Sequence, residues 1–272
     1  RDPHSFYLTV RNILNFRMGI PAIAGWVSIS VEPSAICNLA CRYCARAEDH
    51  GWLTTRPSLM DWELYTGIID GLPKSVKSVS FAGIGEPLLN PRIVDMIEYA
   101  AGKGLRVYMF TNGTLLKGQL LERIAASALD SLVVSMEPDS ESARHYRNMN
   151  YHEVAGYIRE FAAKKRRGQT VSISLVMNEM HADRIQGFIE EWKGVVDHVK
   201  ISPQMGIACG DADTPPFACS ELWRGNMDIK TDGSVSVCCF DSSEELVIGN
   251  VTTDSLKSMI HNEKYRELLR QM

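Results

Sequence analysis

The feature that most constrains this chain is an alternation of short apolar runs with amphipathic helical stretches between Trp26 and Ser202. Residues 27–31, 76–82, 106–110, 132–136, 171–177 and 198–202 read as strands. Residues 61–72, 91–103, 117–127 and 183–192, and stretches from Glu141 and from Tyr151, read as helices, with Asp61 as an N-cap and Pro91 in a first turn. About six strand–helix units in series predict a parallel sheet with right-handed crossovers. An open doubly wound sheet and a barrel share that pattern, so the choice depends on the motifs at the strand ends.

The flanks differ. Residues 5–18 predict a short amphipathic helix. Residues 203–220, rich in Gly, Pro, Asp and Ala, read as a linker. Residues 227–230 and 235–238 alternate like strands around Asp232-Gly233, a hairpin signal, and residues 254–271 close as one amphipathic helix. The expected division is an N-terminal helical extension over 1–25, an α/β unit over 26–204 and a small terminal unit over 205–272.

With 272 residues and 45% hydrophobic content, the chain can bury a full core. A net charge of -4 carries no nucleic-acid footprint, and no apolar run is long enough to span a bilayer. No signal-peptide pattern opens the chain, and its seven cysteines cluster at two places. These features predict a reducing, cytoplasmic setting, with cysteines serving as metal ligands rather than disulfides.

Cys37, Cys41 and Cys44 lie in one loop directly after the first strand. A [4Fe–4S] cluster is normally held by thiolates at each iron, so three protein ligands leave one iron open to a small chelating molecule. The competing reading is structural zinc, which wants four ligands; the nearest histidine is His50.

The Cys-x3-Cys-x2-Cys spacing, with aromatic Tyr43 before the last cysteine, resembles the signature of the radical S-adenosylmethionine superfamily. Phe81-Ala82-Gly83-Ile84-Gly85-Glu86-Pro87 resembles that family's Gly-Gly-Glu-Pro element, with Ile84 at one glycine position. Phe110-Thr111-Asn112-Gly113-Thr114 and Ser135-Met136-Glu137 resemble further elements at later strand ends, Glu137 standing where aspartate is commoner. The resemblance implies a partial (β/α)6 barrel with a [4Fe–4S] cluster on Cys37, Cys41 and Cys44. It implies that Gly83, Gly85, Glu86 and Pro87 receive the amino group of S-adenosylmethionine and that Ser135 and Glu137 meet its nucleoside. Asn112 and Arg147 are further cofactor-binding candidates, with Ser174 and Asn178 near later strand ends.

Cys209, Cys219, Cys238 and Cys239 form the second cluster. With Trp223, Asp232-Gly233 and Ile248-Gly249-Asn250, they resemble the SPASM and Twitch extensions of the same superfamily. That resemblance implies an auxiliary [4Fe–4S] cluster on Cys219 and Cys238. Relatives supply more cysteines after the terminal helix, whereas this chain stops at Met272, so Cys209 is the next candidate ligand and the fourth stays open. The alternatives are a zinc knuckle or buried thiols. Alternation along a strand would turn Cys239 away from Cys238, towards the barrel mouth, where its S–H could give a hydrogen atom to a carbon radical. The bland reading has Cys239 packing as a small hydrophobe.

The implied chemistry is reductive cleavage of S-adenosylmethionine to a 5′-deoxyadenosyl radical, which takes a hydrogen atom from a C–H bond. An electron donor such as flavodoxin or ferredoxin is implied. By analogy with short Twitch enzymes, the expected substrate is a polar, sugar- or aminoglycoside-like small molecule. The expected reaction is epimerisation, with Cys239 as hydrogen-atom donor. The alternatives are dehydrogenation of a secondary alcohol, with the auxiliary cluster accepting the electron, and modification of a ribosomal peptide. The peptide reading is disfavoured because little chain precedes Trp26 for a leader-binding domain. Glu32, His50 and Asp241 are unranked acid–base candidates.

Overall fold

A computed structural model describes residues 3–44, 58–177, 183–203, 220–239, 241 and 243–271. Six parallel strands form its centre: β1 (Ser28–Val31), β2 (Ser78–Phe81), β3 (Arg106–Thr111), β4 (Ser131–Ser135), β5 (Thr170–Met177) and β6 (His198–Pro203). They lie side by side in chain order. A doubly wound sheet reverses strand order at a switch point, and these six do not. The order is that of the partial barrel expected from the motifs.

The connecting helices bury one apolar stripe each. These are α2 (Trp62–Asp70), α3 (Ile93–Gly102), α4 (Gly118–Ala126), α6 (Tyr151–Lys164) and α7 (Ile185–Trp192). Tyr65, Ile97, Ile124, Phe161 and Trp192 from those stripes join Val79, Phe81, Val107 and Ile173 from the strands in one core. Asp61 caps α2 by accepting from the backbone N–H groups of Glu63 and Leu64, as its position before an apolar periodic run predicts. Between β4 and α6 the chain makes a short α5 (Ser140–Ser142) and a π-helical turn (Ala143–Arg147).

The N-terminal helix α1 (Pro3–Arg17) docks through buried Leu8, Phe16 against Trp223, and two buried asparagines. Asn12 donates to the Gly25 carbonyl at 3.1 Å and accepts from the Ala24 N–H at 2.6 Å, while Asn15 donates to the Ala22 carbonyl at 2.9 Å. These bonds fix the approach to β1. Among the described residues, no helix is long and apolar enough to cross a membrane.

The terminal segment continues the same sheet. β7 (Asn226–Ile229) pairs in parallel with β1, from Ser28 opposite Asn226 to Val31 opposite Ile229. β8 (Ser234–Ser236) and β9 (Val247–Asn250) come next, both antiparallel. The Asp232-Gly233 turn joins β7 and β8 as its sequence predicts, with Gly233 donating to the Lys230 carbonyl at 2.9 Å.

The structure corrects three expectations. β9 has no counterpart in the expected pattern; it is short and contains Gly249. The single terminal helix is two, α8 (Leu256–Met259) and α9 (Glu263–Gln271). Asn262 divides them, donating to the Ile248 carbonyl at 2.6 Å and accepting from the Lys264 N–H at 2.8 Å. Finally, β8 stops at Ser236, whose hydroxyl turns to Asp241 at 2.7 Å, so Cys238 and Cys239 lie beyond the strand.

Candidate active site

The cysteine loop begins where β1 ends, and two neighbouring strand ends hold it. A Cβ at Gly85 would lie 1.9 Å from the Ser34 carbonyl oxygen and 2.6 Å from that of Ile36. Only glycine permits this approach, which lets the Glu86 N–H donate to the Ile36 carbonyl at 2.8 Å, one residue before Cys37. Glu86 is almost fully buried and ties the β2 loop to the end of β3. It accepts from the Thr111 hydroxyl at 2.6 Å, the Asn112 N–H at 2.8 Å and the Leu88 N–H at 3.0 Å. Burial pushes the Glu86 carboxyl above its ordinary range, against the pull of those donors. Pro87 opens the adjoining 3-10 turn.

Asn112 reaches the cysteine loop itself. Its amide donates to the Asn38 side chain at 3.0 Å and lies 3.8 Å from the Cys37 sulfur. Thr114 closes the contact by accepting from Asn38 at 2.8 Å.

The far side of the loop rests on a buried ion pair. Arg147 Nε donates to Glu137 Oε1 at 2.6 Å, and the Tyr43 hydroxyl donates to the same oxygen. The Arg147 guanidinium lies 5.2 Å from the Tyr43 ring centroid. The π-helical turn delivers Arg147, and its Tyr146 carbonyl accepts from the Arg42 N–H at 2.8 Å. Burial raises the Cys41 thiol to about 11; Arg147 pulls it back down, while Cys44 and Cys37 add to the rise. The three thiols therefore lie within electrostatic reach of one another and of a buried cation.

This donor set fits an iron–sulfur cluster. Among the described residues, no three His, Cys, Asp or Glu side chains converge on a single metal ion. Thiolates that bind different irons of a cluster stand farther apart than thiolates sharing one zinc. The Cys37 sulfur also receives the Leu39 N–H at 3.5 Å, and donors to sulfur are a means of stabilising a negative cluster.

A second site lies between β1, the β2 loop and β7, around a cavity of about 150 Å³. Ser30 lines it from β1 and Glu32 from just beyond, Gly83 and Ile84 from the β2 loop, and Asp228 from β7 and Lys230 from just beyond. Cys238, Cys239 and Asp241 complete it. Cys238 and Cys239 therefore share one cavity rather than facing opposite ways, because strand alternation has ended at Ser236. The Cys239 thiol is held well above its ordinary value, first by hydrogen bonding to Cys238, then by desolvation and the Asp228 carboxylate. Asp241 is engaged structurally, accepting from Ser236 and from the Leu246 N–H at 3.1 Å.

The structure thus brings Cys37, Cys41, Cys44, Asn112, Glu137 and Arg147 together, with Gly85 and Glu86 supporting the loop from β2, while Gly83 lies against Glu32 in the second cavity. Ser135 ends β4 half-buried, opposite Ser174. His50, Asn178, Cys209 and Cys219 lie outside the described residues. Asp228 and Lys230 escaped the sequence reading. Their signal was polar residues alternating with buried Met227 and Ile229 along one strand.

A parallel barrel with a three-cysteine loop at its first strand end, extended by a cysteine-bearing hairpin, defines a class of iron–sulfur enzymes. The radical SAM superfamily profile matches residues 31–191, and the iron-sulfur cluster-binding domain profile, SPASM, matches residues 219–272. The chain belongs to the radical SAM superfamily and carries a C-terminal SPASM domain. Its cofactors are the [4Fe–4S] cluster with S-adenosylmethionine and the SPASM auxiliary iron–sulfur cluster.

The tungsten-containing aldehyde ferredoxin oxidoreductase cofactor-modifying protein of Pyrococcus furiosus is 33% identical over 109 residues, covering 39% of this chain and 30% of that protein. The chain spans under half the length of the curated relatives it matches. BtrN in complex with AdoMet and 2-DOIA superposes with a TM-score of 0.61 at 17% identity, covering 91% of this chain and 86% of that one. Streptococcus suis SuiB bound to precursor peptide SuiA gives a TM-score of 0.72 at 14% identity, covering 97% and 70%. Likenesses at these identities speak for the fold.

Proposed function

We propose that this protein forms a carbon radical on a polar, sugar- or aminoglycoside-like small molecule and epimerises it, with Cys239 as the hydrogen-atom donor. When bound, the cluster and S-adenosylmethionine supply a 5′-deoxyadenosyl radical that takes hydrogen from a substrate C–H bond. In this reading Cys37, Cys41 and Cys44 ligate that cluster, and Cys238, with Cys209 and Cys219, ligates the auxiliary one. Gly83, Gly85, Glu86, Pro87, Asn112, Ser135, Glu137 and Arg147 shape the S-adenosylmethionine site. Residues 26–204 act as the barrel and 205–272 as the auxiliary unit. The cytoplasm is the assigned compartment and a flavodoxin or ferredoxin the assigned electron donor.

One observation carries the reading. Cys239 is exposed and lines a cavity beside the strand end that leads into the cysteine loop. Its S–H bond breaks as the substrate C–H bond forms, leaving a thiyl radical that the electron donor and a proton restore. The chain's own groups bind and orient the substrate.

A second reading, dehydrogenation of a secondary alcohol, draws on the same cavity. Asp228, raised to about 6 mainly by burial, is suited to accept the proton of an alcohol radical while the auxiliary site takes the electron. Peptide modification is the third reading.

The test is turnover of aminated and neutral polyols in deuterium oxide by wild type and Cys239→Ala. Epimerisation by Cys239 requires one solvent deuterium in the product, and loss of product but not of 5′-deoxyadenosine in the variant. A carbonyl product made equally by both proteins selects dehydrogenation.

A further inference from the structure

We propose that the cavity between β1 and β7 is a recognition subsite for a substrate ammonium group, with Glu32 as its main acceptor and Asp228 as its second. This rests on the small-molecule reading above and narrows it to an aminated substrate.

The argument starts with an orphaned oxygen. Glu32 is 4% exposed and lines the cavity. Its Oε1 accepts from the Ile84 N–H at 2.7 Å and the Gly85 and Thr231 backbones also favour its charged form, whereas Oε2 is buried without a hydrogen bond of good geometry. A desolvated carboxylate oxygen without a donor is costly, so such a group persists where a ligand supplies one. The β2 loop makes room for this side chain: a Cβ at Gly83 would lie 2.5 Å from Glu32 Cγ.

The surrounding charge selects the donor. Asp228 stands opposite Ser30 in the register of β1 and β7 and accepts from that hydroxyl. Lys230, the cation of the lining, attracts Glu32 and Asp228 through space but spends its hydrogen bonds elsewhere: its ammonium donates to the Asp241 carbonyl at 2.8 Å and lies 3.6 Å from Glu244 Oε1. With Asp241 held by Ser236 and Leu246, Glu32 and Asp228 place two further carboxyl groups around the space against one lysine. A hydroxyl would satisfy Oε2 but leave that charge uncompensated; an ammonium does both. Burial penalises the charged forms of Glu32 and Asp228, Lys230 offsets part of that penalty at both, and a bound ammonium would offset more. A cavity of about 150 Å³ holds an ammonium and the carbons next to it, leaving the rest of a substrate to extend past Cys239.

The test uses the reconstituted full chain with S-adenosylmethionine bound. Calorimetric titration compares methyl glucosaminide with methyl glucoside, probes that differ by one amine. The amine is expected to bind about tenfold more tightly at neutral pH, a difference of about 1.4 kcal/mol. N-acetylation of the probe should abolish the advantage. Glu32→Gln keeps an acceptor for Ile84 and turns the orphaned position into a donor, so it should remove the amine's advantage and leave glucoside binding unchanged. A melting curve checks folding; Asp228→Asn, which retains an acceptor for Ser30, is the second variant and should weaken amine binding in the same selective way. Equal affinity for the two probes, no binding of either, or variants that weaken both alike overturn the assignment. Formation of 5′-deoxyadenosine by the wild type, read separately, reports on radical chemistry, so failure of that chemistry and failure of this subsite are distinguishable.

Discussion

At Gly85 a single hydrogen atom decides whether the cysteine loop can sit where it does. An alanine methyl would meet two backbone carbonyls of the segment leading to Cys37, and backbone cannot swing aside as a long side chain can. Gly85→Ala is expected to cost about 3 kcal/mol in chemical denaturation and to lower the iron bound per chain, although every cysteine is intact. Glu137 acts from the opposite side. It accepts from both Arg147 and Tyr43, so Glu137→Ala leaves a buried guanidinium without its carboxylate. The expected loss is again about 3 kcal/mol, measured by denaturant unfolding, with weaker retention of iron on gel filtration. The placing of the motif glycines and Glu137 at strand ends was legible because strand-end chemistry needs particular residue types at particular steps, but the bonds that hold Glu137 to Arg147 and Tyr43 were not. The tie from Glu86 to Thr111 and Asn112 was not, since a buried carboxylate reads the same in sequence whether it faces a ligand or a neighbouring loop.

Elements carry their own electrostatics. Asp139 caps α5 through the Ser142 N–H at 2.8 Å and pairs with Arg184, just ahead of α7, also at 2.8 Å. Partial burial works against its charge, but the Ser142 and Arg184 donors prevail and its carboxyl lies below the ordinary range. Its stabilisation is therefore complete above the unfolded value of about 3.9 and fades as pH falls through the lower folded value. Asp139→Ala should cost about 1 kcal/mol at neutral pH, with the gap from wild type closing in acid, as read by thermal melting across a pH series. Long periodic elements such as α2 and α3 could be read from the sequence within a few residues. The break in the terminal helix could not, because Asn262 stops it by bonding to β9, a strand too short and too glycine-bearing to announce itself. The end of β8 was hidden for a similar reason: Ser236 forsakes the ladder for Asp241, a choice made by tertiary contact.

At the scale of the whole molecule, the two cysteine clusters predict separable metal loads. Wild type, reconstituted without oxygen, should bind two clusters by iron and sulfide content, and the Cys37/Cys41/Cys44→Ala variant should keep one. Loss of all iron in the variant would remove the redox role assigned to the terminal segment. Alternation made the six strand–helix units readable and the strand-end motifs made their order readable, but neither encodes the pairing of β7 with β1. That contact joins residues about two hundred positions apart, and no local pattern encodes it. It has a practical consequence. β1 is hydrogen-bonded on both sides, by β2 and by β7. Expressing the barrel without its terminal segment would strip one of those partners and leave the strand behind the cysteine loop as a raw sheet margin. Such margins recruit strands from other chains, so a truncated barrel should precipitate or self-associate before its metal chemistry can be assayed.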